Sequence, residues 1–307
     1  MNIIKLKENF YEGKISKHQY IEEMYQKFHK NLFEYRNFIK KTNISKIEIE
    51  DDNVIMTIRN KNIKFVCNVL DPRNVVTEIL NFEDYEKELL EKMIFIISKL
   101  EIKNIYDIGA NIGWYSINLG ERFKTKKIYS FEPVEKTYNF LGKNVKLNQL
   151  KNVEINNFGL SLNNSKEIFY VPENEFVNAS MKNLKNFTNV EEIVCHLKKM
   201  DDWNKENNIY PDFIKCDVEG AELLVLKGGE ETLKSKKPVI FIELLRKWAQ
   251  KFNYHPNEVI KFLKNLGYKC FIISNNNLIE VLEITETTQE TNFIFLHEEK
   301  HKVIINF

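Results

Sequence analysis

Apolar residues in the first hundred positions follow two different spacings. Over residues 16–41 large apolar side chains recur at roughly helical spacing, and Ser16 followed by Gln19 predicts a capping box at the start of this helix. From Ile47 apolar residues alternate with polar ones, and two polar clusters interrupt the alternation, which predicts a three-stranded meander. A second long helix is predicted over residues 82–100, where the apolar residues return to helical spacing.

The rest of the chain, residues 101–307, alternates short apolar runs with amphipathic stretches. Strands are predicted at the apolar runs Ile105–Ile108, Ile128–Phe131, Val153–Asn156, Phe213–Asp217, Val239–Glu243 and Tyr268–Ile273, and helices at Val134–Leu147 and Asn257–Leu266. This rhythm predicts an α/β domain with a mostly parallel, Rossmann-like sheet, whose ligand binds beyond the carboxyl ends of the strands. Residues 1–100 are then an N-terminal extension of helix plus β-meander, which we expect to act as a lid or as a homodimer contact.

Composition and charge exclude several classes of protein. The 45 Lys and Arg residues nearly balance the 44 Asp and Glu residues, and a net charge of +1 argues against a nucleic-acid partner. The longest apolar runs are too short to span a bilayer, and the first residues carry charges where a secretory signal has an apolar segment. The 4 cysteines form no CxxC pair, which favours reduced thiols and a cytoplasmic protein.

A glycine-containing turn after the first strand of this domain predicts a cofactor site. Asp107 ends the strand, Gly109 and Gly113 flank Asn111, and a helix is expected to begin at about Gly113, where free N–H groups can meet a ligand. Glu132 ends the next strand, where a carboxylate can accept both hydroxyls of a ribose. A nicotinamide dinucleotide fits less well, because Asn111 replaces the second glycine of its fingerprint and Asp107 would repel the pyrophosphate. S-adenosylmethionine carries an ammonium and a sulfonium, so charge complementarity favours this methyl donor.

Several motifs in order resemble those of the FkbM-type methyltransferases. They are Asp107–Gly113, Ser130–Pro133, Asn157–Ser161 and Ile214–Glu222. The resemblance implies a class I S-adenosylmethionine-dependent methyltransferase fold and O-methylation of hydroxyl groups, commonly on sugars. It covers roughly residues 107–268, and nothing before Asp71 matches a motif of the family.

The resemblance also implies which residues bind the cofactor. Asp107, Gly109, Asn111 and Gly113 would line the methionine part of S-adenosylmethionine, and Glu132 would hold the ribose. The adenine side would be formed by the loop that contains Asn157, Gly159 and Ser161. Family members often carry alanine at the position of Gly159, a mild departure that concerns only this loop. Asp217 is assigned both to the cofactor site and to the catalytic set.

Carboxylates at two further strand ends are candidates for the chemistry. Methyl transfer to a hydroxyl requires an aligned nucleophile and removal of its proton, which a carboxylate or a carboxylate-bound divalent cation can assist. Asp217, Glu219 and Glu243 therefore act either as proton acceptors or as ligands of Mg²⁺ or Mn²⁺, and we favour the metal-free alternative because no third close carboxylate shows ligand spacing. His255, which precedes a proline after the fifth strand, is a further catalytic candidate, and His196 is a weaker one.

The sequence thus predicts a cytoplasmic S-adenosylmethionine-dependent O-methyltransferase that acts on a sugar hydroxyl. The acceptor class comes from the resemblance, and we expect a sugar or nucleotide-activated sugar destined for a surface polysaccharide. A non-sugar metabolite is the alternative acceptor. A nicotinamide-dependent oxidoreductase and a non-catalytic binding module with the same fold are the alternative functions.

Overall fold

The N-terminal extension is helical before it becomes a small sheet. The computed structural model describes residues 2–68, 71, 74–172, 179–186, 188–274 and 277–306. Its first helices are α1 (Ile3–Tyr11), α2 (Lys17–Met24) and α3 (Lys30–Phe38), with a π-helical turn at Tyr25–His29 and a 3₁₀ turn at Ile39–Lys41. The predicted capping box is confirmed, because Ser16 Oγ accepts from the Gln19 backbone N–H at 3.2 Å and Gln19 Oε1 accepts from the Ser16 N–H at 3.0 Å.

The predicted meander is also confirmed, whereas the helix predicted over residues 82–100 begins later. The antiparallel strands are β1 (Ile44–Ile49), β2 (Val54–Ile58) and β3 (Lys64–Cys67), followed by helices α4 (Val75–Phe82) and α5 (Lys87–Lys99). Two non-glycine residues with positive φ, Glu83 at 73° and Glu86 at 46°, separate α4 from α5. The helical path is interrupted there, and each of the two helices buries its own apolar residues.

The main sheet has eight strands among the described residues. They are β4 (Asn104–Ile108), β5 (Lys127–Phe131), β6 (Val153–Asn156), β10 (Phe213–Cys216), β11 (Val239–Glu243), β12 (Tyr268–Ser274), β13 (Asn277–Glu280) and β14 (Asn292–His297). Their order is β13-β12-β14-β11-β10-β4-β5-β6. The strands from β11 to β6 are parallel, and β14 is antiparallel to both of its neighbours. This order confirms the class I methyltransferase fold.

Helices cover both faces of this sheet, as the β/α rhythm predicts. They are α6 (Trp114–Arg122), α7 (Glu135–Leu147), α8 (Met200–Asn207), α9 (Glu222–Gly228), α10 (Glu230–Lys236), α11 (Arg246–Ala249), α12 (Pro256–Lys264) and α13 (Lys302–Ile305). None of the helices in the described part of the chain has both the length and the apolar character needed to cross a membrane.

A second three-stranded sheet lies beside the main one and was not predicted. It consists of β7 (Gly159–Ser161), β8 (Ser165–Pro172) and β9 (Val190–Lys199), with β9 in the middle. The N-terminal extension shares a core with the main sheet. Phe65 and Met93 of the extension, both fully buried, belong to the same apolar cluster as Ile105 and Phe213 of the sheet.

Candidate active site

A cavity of about 250 Å³ opens at the carboxyl ends of the central strands. Its walls come from the turn after β4, the residues that follow β5 and β10, and the end of β11. The second sheet contributes Leu197 and Phe169, and the N-terminal extension contributes Val75, Tyr85 and Glu86. The ligand site predicted for a doubly wound sheet therefore coincides with a cavity lined by the predicted strand ends.

The turn after β4 needs glycine at one position for a clear steric reason. Gly109 has a φ of +75°, and a Cβ there would lie 1.8 Å from the backbone oxygen of Asp217. Asn111 also has a positive φ, of 50°, and its N–H donates to Glu132 Oε2 at 2.9 Å. Gly113, with a φ of +94°, caps α6 and packs against Leu141, outside the cavity lining. The turn is thus fixed against β10 and against the residue after β5.

Asp107 is buried beneath this turn. Its Oδ2 accepts hydrogen bonds from the backbone N–H and the hydroxyl of Ser116, at 3.0 and 2.5 Å, in the first turn of α6. Its Oδ1 is buried without a hydrogen-bond partner in the described part of the chain, although Lys215 Nζ lies 4.0 Å away. Burial raises the pKa of Asp107, and Lys215 and the Ser116 hydrogen bonds oppose that shift.

Glu132 follows β5 and lines the cavity. Its oxygens accept from the backbone N–H groups of Asn111 and Val134, at 2.9 and 3.0 Å. Burial raises the pKa of Glu132 to about 7, because the loss of hydration outweighs these hydrogen bonds. Each carboxylate oxygen can accept more than one hydrogen bond, so both can still accept from hydroxyl groups of a ligand.

The loop predicted for the adenine side is only partly in the cavity. Gly159 lines it, and a Cβ at this position would lie 2.7 Å from a Leu197 side-chain atom. The Asn157 amide donates to the carbonyl oxygens of Glu132 and Pro133, at 3.0 and 3.3 Å, and so supports the backbone beside the cavity. Ser161 is buried in β7, away from the cavity lining.

The three predicted carboxylates after β10 and at the end of β11 meet in the cavity. Asp217, Glu219 and Glu243 all line it, although Glu243 is distant from the others in sequence. Glu219 has a φ of 56°, a left-handed conformation that costs a non-glycine residue about 1–3 kcal/mol. Glu222 lies outside the cavity and accepts hydrogen bonds from the N–H groups of Val218 and Gly220, so it holds the backbone on either side of Glu219.

Crowding of these carboxylates changes their protonation. Burial raises the pKa of Glu243 to about 9, and the charges of Asp217 and Glu219 add to the effect. Burial and Asp217 likewise raise the pKa of Glu219 well above its ordinary value. At neutral pH Glu243 therefore tends to hold a proton.

Lys215 is the single basic side chain among the described residues that line this cavity. It is 7% exposed, its Nζ lies 3.2 Å from Asp217 Oδ2, and it stands over the Tyr115 ring at 4.9 Å from the centroid. Burial acts to lower the pKa of Lys215, but Asp217, Asp107 and Glu86 outweigh it and raise the pKa above its usual value. The lysine therefore remains a cation.

The two histidine candidates lie elsewhere. His255 is the exposed N-cap of α12, where its Nδ1 accepts from the Asn257 N–H at 3.2 Å, and it does not line the cavity. His196 is an exposed residue of β9 and does not line the cavity either. The structure therefore does not bring either imidazole to the carboxylates.

Residues 107–270, more than half of the chain, match the sequence profile described as Methyltransferase FkbM domain. The chain belongs to the FkbM methyltransferase family. It is 29% identical over 183 residues to Methyltransferase sdnD of Sordaria araneosa, and the aligned region covers 48% of this chain and 70% of that protein. It is 27% identical over 170 residues to Methyltransferase 1 of Beauveria bassiana, which covers 48% and 68%. A crystal structure of Methyltransferase FkbM from Methylobacillus flagellatus is similar over 75% of this chain and 55% of that chain, with 14% identity and a TM-score of 0.45.

Membership of the FkbM methyltransferase family decides between the alternatives for the enzyme class. It confirms the predicted methyltransferase over the alternative of a nicotinamide-dependent oxidoreductase. The matched segment contains the glycine turn, Glu132 and the three clustered carboxylates, but it leaves out Tyr85 and Glu86. These two residues had no signal in the sequence analysis, because the predicted helix over residues 82–100 ran through them.

The acidic lining of the cavity suits S-adenosylmethionine. The cavity lining of this FkbM methyltransferase has five carboxyl groups and one lysine among the described residues, so its potential becomes negative as these groups ionise, and a positively charged ligand favours their ionised forms. The unpartnered Oδ1 of Asp107 beneath the turn adds to this negative potential. No group of three or more Asp, Glu, His or Cys side chains in the described part of the chain has the arrangement of a metal site.

Proposed function

We propose that this FkbM methyltransferase is an S-adenosylmethionine-dependent O-methyltransferase that acts on a hydroxyl group of a sugar. The observation that carries the proposal is the meeting of Asp217, Glu219 and Glu243 in the cavity that also contains the glycine turn and Glu132. The turn and Glu132 have the chemistry of a nucleoside site, and the three carboxylates have the chemistry needed to bind a hydroxyl group and accept its proton.

S-adenosylmethionine supplies an electrophilic methyl group on a positively charged sulfur. In our proposal Glu132 accepts the ribose hydroxyls, because its position is fixed by the N–H groups of Asn111 and Val134. Asp107 and Asp217 supply negative charge beside the glycine turn, and Gly109 allows the turn to lie directly against β10. Gly159 and Leu160 form part of the wall at the adenine end.

The clustered glutamates are suited to proton transfer. An alcohol is a weak nucleophile at neutral pH, so a neighbouring base that takes its proton during the reaction increases the rate. Glu219 and Glu243 have raised pKa values, so the ionised form of either carboxyl group is a stronger base than an ordinary carboxylate. Asp217, which is paired with Lys215, then helps to orient the hydroxyl group.

The cavity walls also support a sugar as the acceptor. Tyr85, Trp114 and Tyr115 line the cavity together with the carboxylates, and aromatic faces beside hydrogen-bond acceptors suit the apolar faces and hydroxyl groups of a sugar ring. In a nucleotide-activated sugar the phosphates would lie away from the acidic cluster, because like charges repel. A hydroxyl group of a non-sugar metabolite is the alternative acceptor within the same chemistry.

Two measurements test the proposal. Calorimetry should detect binding of S-adenosylhomocysteine to the purified chain. Mass spectrometry of free sugars, glycosides and nucleotide-activated sugars incubated with enzyme and methyl donor should show a product that gains the mass of one methyl group. Absence of S-adenosylhomocysteine binding would refute the cofactor site, whereas a methylated product that carries its new group on nitrogen or carbon would refute O-methylation.

A homodimer in the cytoplasm completes the proposal. All 4 cysteines are free and buried, in keeping with a reducing compartment.

Helices α2 and α3 contain no buried residue, and several of their large apolar side chains are more than half exposed, Ile21, Leu32 and Phe33 among them. We place the homodimer contact on this surface. Light scattering of the full chain and of Phe33→Asp would test it, with a shift from dimer to monomer expected.

A further inference from the structure

Glu86 belongs to the N-terminal extension but lines the active-site cavity. It occupies the N-cap position of α5 in a left-handed conformation, with φ 46° and ψ 37°, and its side chain makes no capping hydrogen bond. Both features are unusual, because a polar N-cap side chain ordinarily accepts from its own helix and a left-handed conformation is unfavourable for glutamate. The Glu86 carboxylate thus does not cap its own helix and lies in the cavity lining instead.

The Glu86 carboxylate is held by a residue of the methyltransferase domain. The Tyr115 hydroxyl donates to Glu86 Oε2 at 2.5 Å, and the Tyr115 ring lies under the Lys215 ammonium, 4.9 Å from its centroid. Glu86, Tyr115 and Lys215 therefore form one connected group between the extension and the end of β10. A tyrosine that anchors a carboxylate from a distant segment fixes its position in the cavity.

Glu86 differs from the other cavity carboxylates in how its charge is balanced. Asp217 has an ion pair with Lys215 at 3.2 Å, and Glu132 accepts two backbone N–H groups. In the described part of the chain the hydrogen bond to Glu86 comes from a neutral hydroxyl, and no ion pair involves this carboxylate. Burial raises the pKa of Glu86, and the Tyr115 hydrogen bond and the Lys215 charge oppose that shift, so a positively charged ligand in the cavity would favour the ionised form of this carboxyl group.

We infer that Glu86 is a specificity-determining residue that makes the cavity prefer the positively charged methyl donor to the product with an uncharged sulfur. The inference rests on the proposed function, because it assumes that S-adenosylmethionine occupies this cavity. Loss of the methyl group removes the positive charge from sulfur, so a nearby carboxylate stabilises the donor complex more than the product complex. The consequence is easier release of the product.

Calorimetric titrations at about pH 8 test this inference without an acceptor. The probes are sinefungin, an unreactive analogue with an amine in place of the methylsulfonium group, and S-adenosylhomocysteine. Glu86→Gln keeps the shape of the side chain and its bond from Tyr115. We expect it to weaken sinefungin binding on the order of tenfold and S-adenosylhomocysteine binding by less than about threefold. Glu83→Gln, an exposed neighbour outside the cavity, should change neither affinity.

A second variant separates position from charge. Tyr115→Phe retains the ring beside Lys215 but removes the hydrogen bond that holds Glu86. It should therefore reduce the ratio of sinefungin affinity to S-adenosylhomocysteine affinity, by a smaller factor than Glu86→Gln does. Equal weakening of both probes by Glu86→Gln, or no change in either, would overturn the inference. Failure of S-adenosylhomocysteine to bind the unmodified chain would instead refute the proposed cofactor site, so the two failures are distinguishable.

Discussion

Lys215 Nζ lies 3.2 Å from Asp217 Oδ2, at the point where β10 ends and the carboxylate cluster begins. The two residues are separated by one position, and both line the cavity. The lysine is almost completely buried and has further carboxylates around it, so it compensates a large part of the negative charge at the centre of the protein. Its removal should therefore affect both folding and ligand binding.

Lys215→Met should lower the free energy of unfolding by about 3 kcal/mol at pH 8, because it leaves buried carboxylates without their counter-charge. The loss should be smaller near pH 5, where Glu132 and Glu243, whose pKa values burial raises to about 7 and about 9, are already protonated. Urea denaturation at the two pH values measures the difference. Lys227→Met, at an exposed position on α9, is the matched control and should change stability little. An equal loss at both pH values would contradict the electrostatic explanation.

Glu132→Ala should weaken binding of S-adenosylhomocysteine by about 1.5–3 kcal/mol for each ribose hydrogen bond that is lost. The same substitution removes the acceptor for the Asn111 N–H, so the glycine turn should also lose part of its support. Calorimetry measures the affinity, and thermal unfolding confirms that the variant is folded. Glu154→Ala, an exposed residue of β6, serves as the control. If the Glu132 variant binds as tightly as the unmodified chain, the ribose site lies elsewhere.

Asp217→Asn, Glu219→Gln and Glu243→Gln distinguish a carboxylate base from a metal site. If one of these residues is the base, its amide variant should lower kcat by about 10²–10⁴-fold with little change in S-adenosylhomocysteine affinity. A chelator should then have no effect on turnover, as we expect from the metal-free alternative. Loss of turnover on chelation and its recovery with Mg²⁺ or Mn²⁺ would establish the metal alternative instead. Full activity in all three variants would exclude both.

Glu243→Gln should also make the unliganded protein more stable in alkaline solution. The folded state raises the pKa of Glu243 from 4.5 to about 9, so folding becomes less favourable as pH rises from 4.5 to 9 and this carboxyl must ionise in a buried site. The amide removes that cost. We expect a gain of at least about 1 kcal/mol at pH 9 and no gain at pH 4, measured by urea denaturation. A pH-independent difference would show that the charge of Glu243 is not responsible.

His301 should make the protein sensitive to acid. Its Nδ1 accepts from the His297 N–H at 2.9 Å, and burial lowers its pKa from 6.5 to about 3. Since the folded state resists protonation, its stability is fully present above pH 6.5 and is lost as pH falls from 6.5 towards 3, by up to about 1.4 kcal/mol per pH unit. His301→Gln should flatten this part of the stability profile, whereas His18→Gln, at an exposed position, should leave it unchanged.

The sequence by itself determined the parts of this protein that depend on local patterns. Short, continuous apolar runs predicted the strands of the parallel sheet, because a strand that is buried on both faces of the sheet must be apolar over its whole length. The Asp107 turn and Glu132 were recognisable as a candidate cofactor site because glycine lets a turn approach a ligand and a carboxylate can accept the hydroxyl groups of a ribose. Chain order then placed Asp217 and Glu243 at the same edge, since parallel strands joined by helices end on one side.

Only the tertiary structure decided which side chains share the cavity. Glu86 was hidden within a predicted helix, because periodicity does not reveal a helix break made by non-glycine residues with positive φ. His255 and Asn157 lie in the expected segments, but one caps a helix and the other supports a backbone, roles that depend on side-chain direction. Lys215 became the central cation only because the fold buries it among carboxylates that are remote in sequence. Charge balance in a buried site is a property of the assembled strands, and local spacing cannot encode it.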